Sequence, residues 1–520
     1  MFDGTPKARY LQDSGNAIRK HLAKGLLPAI IATAVFTQPA YAEANEPAAP
    51  VSQAPHACYV SGLSEQVSCG SILVPENYQE PQGKQIAIHY TVLPAIKSNF
   101  GSEAFLAIAG GPGQSAIDNA AYFDKVFSKV RQYRDILLID QRGTGRSNPL
   151  NCEGEGFEAG LALNDETIDI EATTQQCLDQ QTADITQYGS ETALKDFEAV
   201  RQALGYNKLH LYGISYGSRM AQLYMRHYPE VLETVTLDGV VPMQQSVVAI
   251  GDAIERATQI LFNECQTNQL CQQSFPHLAD NFAKVDRQLT QGPITTTTRD
   301  PLTGEPSELL LTRSKFMGAI RMAMYGANIR ALLPYAINQA AKDNFQPVLG
   351  LYALNMDGIG LAMGMHSSVV CGEDWPRIDE NMRQQLQSNY FGEQMLIGFD
   401  KSCAIWQIPA VDNSFSAAID SDIPTLLLSG ENDPATPPSW AELAMEKMSN
   451  AKHLIAPYAT HGVAHQSCAN NLVADLVNSK DVNQLDSSCL SRDVSRNFYL
   501  NASTVESVQQ SNDPQGASHD

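Results

Sequence analysis

The chain has 520 residues, 43% of them hydrophobic, and a formal net charge of −22. That length allows two or three domains, or one large domain with insertions, around a sizeable core. A balance this acidic argues against nucleic acid or an anionic membrane surface as a partner; it suits cationic substrates such as peptides with a free amino terminus, or simply keeps an exported protein in solution.

In chain order, residues 1–42 read first as a secretory signal. Arg19, Lys20 and Lys24 form a basic start, Gly25–Thr37 is a short apolar run, and Ala40-Tyr41-Ala42 is a cleavage site. Cleavage after Ala42 is expected to leave a periplasmic or secreted bacterial protein with no membrane anchor. The ten cysteines all follow that site. In an oxidising compartment they read as disulfides rather than metal ligands, and no zinc-type spacing occurs. Spacing does not fix connectivity; pairing neighbours in order gives Cys58–Cys69, Cys152–Cys177, Cys265–Cys271, Cys371–Cys403 and Cys468–Cys489. Residues 43–57, rich in Ala, Pro and Glu, read as a flexible leader.

From there the pattern is a succession of short apolar runs. Residues 84–96 alternate as a strand does. Ala104–Ala109 ends in Gly110-Gly111-Pro112-Gly113. Asp135–Asp140 ends in Gln141-Arg142-Gly143-Thr144-Gly145-Arg146-Ser147. Leu209–Gly213, Thr234–Val241, Pro424–Gly430 and His453–Ala456 follow. Continuous apolar runs separated by helical stretches predict a mostly parallel sheet buried on both faces. The fourth and fifth of the core strands are separated by a long stretch of helical pattern, as in Val247–Gln266 and Leu309–Tyr325. The fold expected is α/β, an α/β-hydrolase core in two parts, 58–242 and 421–504. A large, mainly helical cap, 243–420, is inserted between late strands. Residues 505–520 read as a disordered polar tail.

The chemistry is concentrated after Leu209–Gly213. Gly213-Ile214-Ser215-Tyr216-Gly217 lies between an apolar strand and an amphipathic helical pattern, the setting of a nucleophile elbow. Glycines two before and two after the serine allow the sharp turn. A serine hydroxyl needs a base to accept its proton, and the base needs an orienting acid. Asp433, in a proline-restrained loop after a late strand, is the expected acid; Glu431 and Asp422 are lesser candidates, and Asp238 reads rather as a turn residue. His461 is the expected base, in the loop after the last strand. His465, four residues on, reads as the start of the following helix. The oxyanion donors expected are the N–H groups of Tyr216 and Gly111. Arg142 and Arg146 read as braces of the core.

Gly110–Gly113, Asp140–Ser147, Gly213–Gly217, Gly430–Pro437 and His461-Gly462 together resemble the prolyl and tripeptidyl aminopeptidases. The export signal and the cysteine-bearing C-terminal part are closer to the secreted tripeptidyl branch. Ala109 stands where the prolyl branch usually has histidine. The resemblance implies an α/β-hydrolase serine exopeptidase that acts through an acyl-enzyme on peptides with a free N-terminus, with no metal or organic cofactor. It also implies cap carboxylates that hold the substrate ammonium, for which Glu373 and Asp374 are the candidates. A carboxylic ester hydrolase on the same scaffold is the alternative, and a catalytically silent binding protein a more distant one. Oligomeric state and the number of residues released are not legible.

Overall fold

The computed structural model describes residues 53–97, 100–152, 161–300, 303–356 and 360–505. Eleven strands matter for the site's placement. They are β1 (Gln53–Cys58), β2 (Val67–Pro75), β3 (Gln85–Leu93), β4 (Glu103–Ile108), β5 (Asp135–Ile139) and β6 (Lys208–Ile214), then β7 (Leu232–Asp238), β8 (Ile294–Arg299), β9 (Pro306–Leu311), β10 (Thr425–Gly430) and β11 (Ala451–Ala456).

Nine of them form one sheet in the order β1-β2-β3-β5-β4-β6-β7-β10-β11. The first three are antiparallel to their neighbours, and the six from β5 to β11 run parallel. Phe105, Leu106, Ile136, Leu137, Leu138, Leu209, Leu211, Val235, Leu237, Leu426 and Leu427 are almost fully shielded from solvent. Continuous apolar runs of this kind are what a sheet covered on both faces requires. Separate apolar clusters fill the two sides, one including Tyr188, Phe197 and Met220, the other Phe123, Phe127 and Val473. This is the expected α/β-hydrolase fold.

Between β7 and β10 the chain is mainly helical and has its own apolar cluster, which includes Ile254, Leu261, Phe316, Ile320 and Ile337. The segment also holds a two-stranded hairpin, β8 with β9. Leu309–Leu311, expected to begin a helix, pairs in that hairpin, and the helix starts at Arg313 behind an N-cap at Thr312. Tertiary pairing and the cap decide the boundary, where apolar periodicity does not.

The structure also differs at the leader. Gln53–Cys58 is not loose chain but edge strand β1, paired with β2 and tied to it by the Cys58–Cys69 disulfide. Its residues are almost all exposed, so no alternation marks it as a strand. All five neighbouring cysteine pairs form as disulfides. Thr504–Val505 pairs with Tyr499–Asn501. The expected signal segment, residues 1–42, and the tail from 506 lie outside the described residues.

Candidate active site

Ser215 sits between the end of β6 and the helix Tyr216–His227, in a left-handed backbone conformation with φ 57° and ψ −127°. A non-glycine residue held there is strained, and the surroundings must impose it. They do so by close packing. A Cβ on Gly213 would lie 2.2 Å from the Gly217 carbonyl oxygen, and one on Gly217 would lie 2.4 Å from that of Ile108. Ser215 N–H donates to the Asp238 carbonyl at 2.9 Å, and the Ser218 hydroxyl donates to the Ser215 carbonyl at 2.6 Å. Tyr216 is the first residue of the helix, so its N–H has no acceptor within it and stands at the positive end of the helix dipole.

Asp433 follows β10 and is fully buried. Its Oδ1 accepts from the backbone N–H groups of Ala435 (2.7 Å) and Thr436 (2.9 Å), and its Oδ2 from the Thr436 hydroxyl (2.8 Å). His461 Nδ1–H donates to Asp433 Oδ2 at 2.9 Å. Burial disfavours the imidazolium, but the adjoining Asp433 charge and hydrogen bond outweigh it, and the His461 pKa is raised. The Tyr325 ring meets the imidazole edge-on at 5.3 Å between centroids. Ser215 and His461 line one cavity of about 590 Å³, together with Gly110, Gly111 and Pro112. Among the described residues the Ser215 hydroxyl makes no hydrogen bond to His461. In unliganded sites such contacts are often long and tighten with substrate.

The structure thus brings together Ser215, Asp433, His461, Gly111 and the first turn carrying Tyr216. Gly111, with φ 111°, lies in a loop pinned by Ala362 N–H, which donates to the Gly113 carbonyl at 3.0 Å. The lesser acid candidates stand elsewhere: Glu431 pairs with Arg256 at 2.5 Å, and Asp422 is exposed. Asp238 is more than a turn residue. It is fully buried at the end of β7 and accepts from Val463 N–H (2.7 Å), Ala464 N–H (2.9 Å) and the Tyr212 hydroxyl (2.7 Å). It therefore clamps the loop that carries His461. His465 does not start the next helix, which begins at Ala469; it lies in the preceding turn and lines the cavity. Burial, and then the neighbouring His461, push the His465 pKa down to about 4.

Glu373 and Asp374 are not at the cavity. Both are buried, at 2% and 0% exposure. Glu373 accepts from Ser190 N–H (2.6 Å) and the Ser190 hydroxyl (2.7 Å). Asp374 pairs with Arg219 (2.8 Å) and Arg377 (3.1 Å) and accepts from Val247 N–H (2.8 Å). With every oxygen committed, neither is available to a substrate ammonium. Arg142 braces the core as expected, through a fully buried pair with Asp196 at 2.6 Å; Arg146 does not, because it is exposed. Thr436 was not foreseen as a site residue, and Asp238, a possible acid position that reads rather as a turn residue, was not foreseen as the clamp of the His461 loop; a threonine three positions after the acid is the only trace in the sequence of the first.

A family model described as TAP-like protein matches residues 388–489, the stretch that holds Asp433 and His461. The chain is similar to the serine protease Hip1 of Mycobacterium tuberculosis, 25% identical over 409 residues that cover 71% of this chain and 76% of that one. It is similar to carboxylesterase B of the same species, 24% identical over 400 residues, 71% of this chain and 76% of that one. It is also similar to the tripeptidyl aminopeptidase of Streptomyces lividans, 24% identical over 194 residues, 34% of this chain and 36% of that one. These findings bear out the resemblance read from the motifs. The chain is a serine hydrolase of the α/β-hydrolase fold with a TAP-like C-terminal part.

Proposed function

We propose that this chain is an exported serine exopeptidase that removes short peptides or single residues from substrate N-termini. The observation that carries the reading is the Ser215–His461–Asp433 constellation on a cavity of about 590 Å³. A volume of that order takes a ligand the size of a short peptide. Five disulfides support export, because such bonds persist in oxidising compartments.

The mechanism follows from the residues. His461, held by Asp433 with its proton on Nδ1, takes the Ser215 proton at Nε2 as Oγ attacks the carbonyl carbon. The N–H groups of Tyr216 and Gly111 receive the oxyanion. The tetrahedral intermediate collapses when His461 gives that proton to the leaving nitrogen, and the C–N bond breaks. Water, activated by the same imidazole, then attacks the ester carbon and releases Ser215.

A second reading, carboxylic ester hydrolysis, is favoured by one feature. Among the described residues no aspartate or glutamate lines the cavity, so no carboxylate there pairs with a substrate ammonium. Matched fluorogenic peptide amides with free or acetylated N-termini, beside p-nitrophenyl esters, separate the readings. The exopeptidase reading expects amide cleavage that acetylation abolishes. Activity confined to esters would overturn it in favour of the alternative, and amide cleavage indifferent to acetylation would overturn it in favour of a different hydrolase.

A further inference from the structure

The helix Arg313–Ala323 crosses the wall of the Ser215 cavity, and Arg321, Met322 and the following Tyr325 line it. Arg321 is unlike the other arginines shielded from solvent among the described residues. Arg131, Arg134, Arg142, Arg201, Arg219, Arg256, Arg313, Arg330 and Arg377 each pair with a carboxylate. Arg226 donates to the Phe415 and Ala417 carbonyls, and Arg383 stacks on Trp375. Among the described residues the Arg321 side chain has no hydrogen-bond or ion-pair partner, and its Nε is buried.

A guanidinium on a cavity wall with no protein partner has N–H donors free to hold an anion. Its planar fork of donors matches a carboxylate in geometry. The cavity supplies no internal counter-ion, since no acidic side chain among the described residues lines it. His366, the neighbouring polar group, does not compensate. Its Nδ1–H donates to the Pro112 carbonyl at 3.1 Å, and burial keeps its pKa low. Arg321 and His366 also line a second cavity of about 410 Å³ that adjoins the first across Met395 and Phe399. A cation between two largely apolar chambers fixes one charged point on an otherwise apolar ligand.

We infer that Arg321 is a substrate-recognition residue of the Ser215 cavity, and that the substrate class this hydrolase takes carries a carboxylate held by its guanidinium. The inference rests on the serine-hydrolase reading above and deepens it. The carboxylate has two sources: an acidic residue on the acyl side of the scissile bond, or the terminal carboxylate of the leaving part.

The test is a set of paired substrates. Tripeptidyl aminomethylcoumarins carrying Glu or Gln at each position in turn, in an alanine background, report the acyl side. Free-acid and amidated peptides of one sequence report the leaving side. Wild type is expected to favour the acid over its neutral partner in one set by roughly 10- to 100-fold in kcat/KM, as a charged hydrogen bond implies. Arg321→Met is expected to erase that preference, and Arg321→Lys to restore part of it. Equal rates for acid and neutral partners in every pair, or a preference that survives in Arg321→Met, overturns the inference. Should no peptide be cleaved, the exopeptidase reading fails, and Arg321 is then tested alone. Glutarate, but not glutaramide, is expected to slow fluorophosphonate labelling of wild-type Ser215, and equal effects overturn it. That last comparison needs no variant and holds even if Arg321→Met does not fold.

Discussion

Replacing Asp433 by asparagine isolates the role of the triad acid with one atom changed. In the native site Oδ1 is fixed by two backbone donors, Ala435 N–H and Thr436 N–H, while Oδ2 faces His461 Nδ1 and the Thr436 hydroxyl. An asparagine must keep its oxygen on the two backbone donors, because an NH₂ group there would meet two N–H groups head on. Its NH₂ therefore takes the Oδ2 position and donates toward His461. The imidazole can then accept there only with its proton on Nε2, the nitrogen that must take the Ser215 proton. The wrong tautomer in an otherwise intact triad costs about 10⁴ in kcat, or roughly 5 kcal/mol of transition-state stabilisation. Folding should suffer far less, by about 1 kcal/mol, since the two backbone bonds survive. The assay is steady-state hydrolysis of a p-nitrophenyl ester beside a thermal melt. A variant within tenfold of wild type, or one that loses activity only because it unfolds, would refute the tautomer argument.

Other outcomes follow from the same geometry. Asp238→Ala leaves Val463 N–H, Ala464 N–H and the Tyr212 hydroxyl without their buried acceptor, so it should destabilise the fold by at least about 3 kcal/mol in urea melts and loosen the His461 loop. The kcat/KM profile should rise with pH as His461 loses its proton, with a midpoint above the ordinary imidazole value of 6.5, because Asp433 stabilises the imidazolium against the cost of burial. A midpoint below 6.5 would contradict the pairing. Burial pushes the Glu373 pKa from 4.5 up to about 7. Between those values the unfolded chain releases this proton while the folded chain keeps it, so the group's contribution to stability falls as pH rises across that window. Glu373→Gln removes the titration, and its melting temperature relative to wild type should therefore climb from pH 4.5 to about 7. A flat difference would count against a protonated Glu373.

The core strands and the strand-end positions of Ser215, Asp433 and His461 were legible because backbone demands leave marks in sequence. Gly213 and Gly217 flank Ser215 where a side chain would strike a carbonyl, and the prolines after Asp433 fix a loop at a strand end. The cysteine pairs were legible because each partner is close along the chain. What failed was set by contacts distant in sequence. Glu373 and Asp374 look like free carboxylates until Ser190 and Arg219, 183 and 155 residues away, close on them. Asp238 passes for a turn residue because the N–H groups it holds are 225 and 226 residues downstream. Strand β1 was missed for another reason: an exposed edge strand needs only backbone pairing and a disulfide, and neither writes an apolar pattern.

The central claim is that Ser215 is the nucleophile. Intact-mass and peptide-mapping spectrometry after treatment with a fluorophosphonate tests it most directly. One adduct on Ser215 is the predicted result, absent from Ser215→Ala and slowed strongly in His461→Ala. An adduct on another residue, or a Ser215→Ala protein that still hydrolyses the reporter substrates at the wild-type rate, would contradict it.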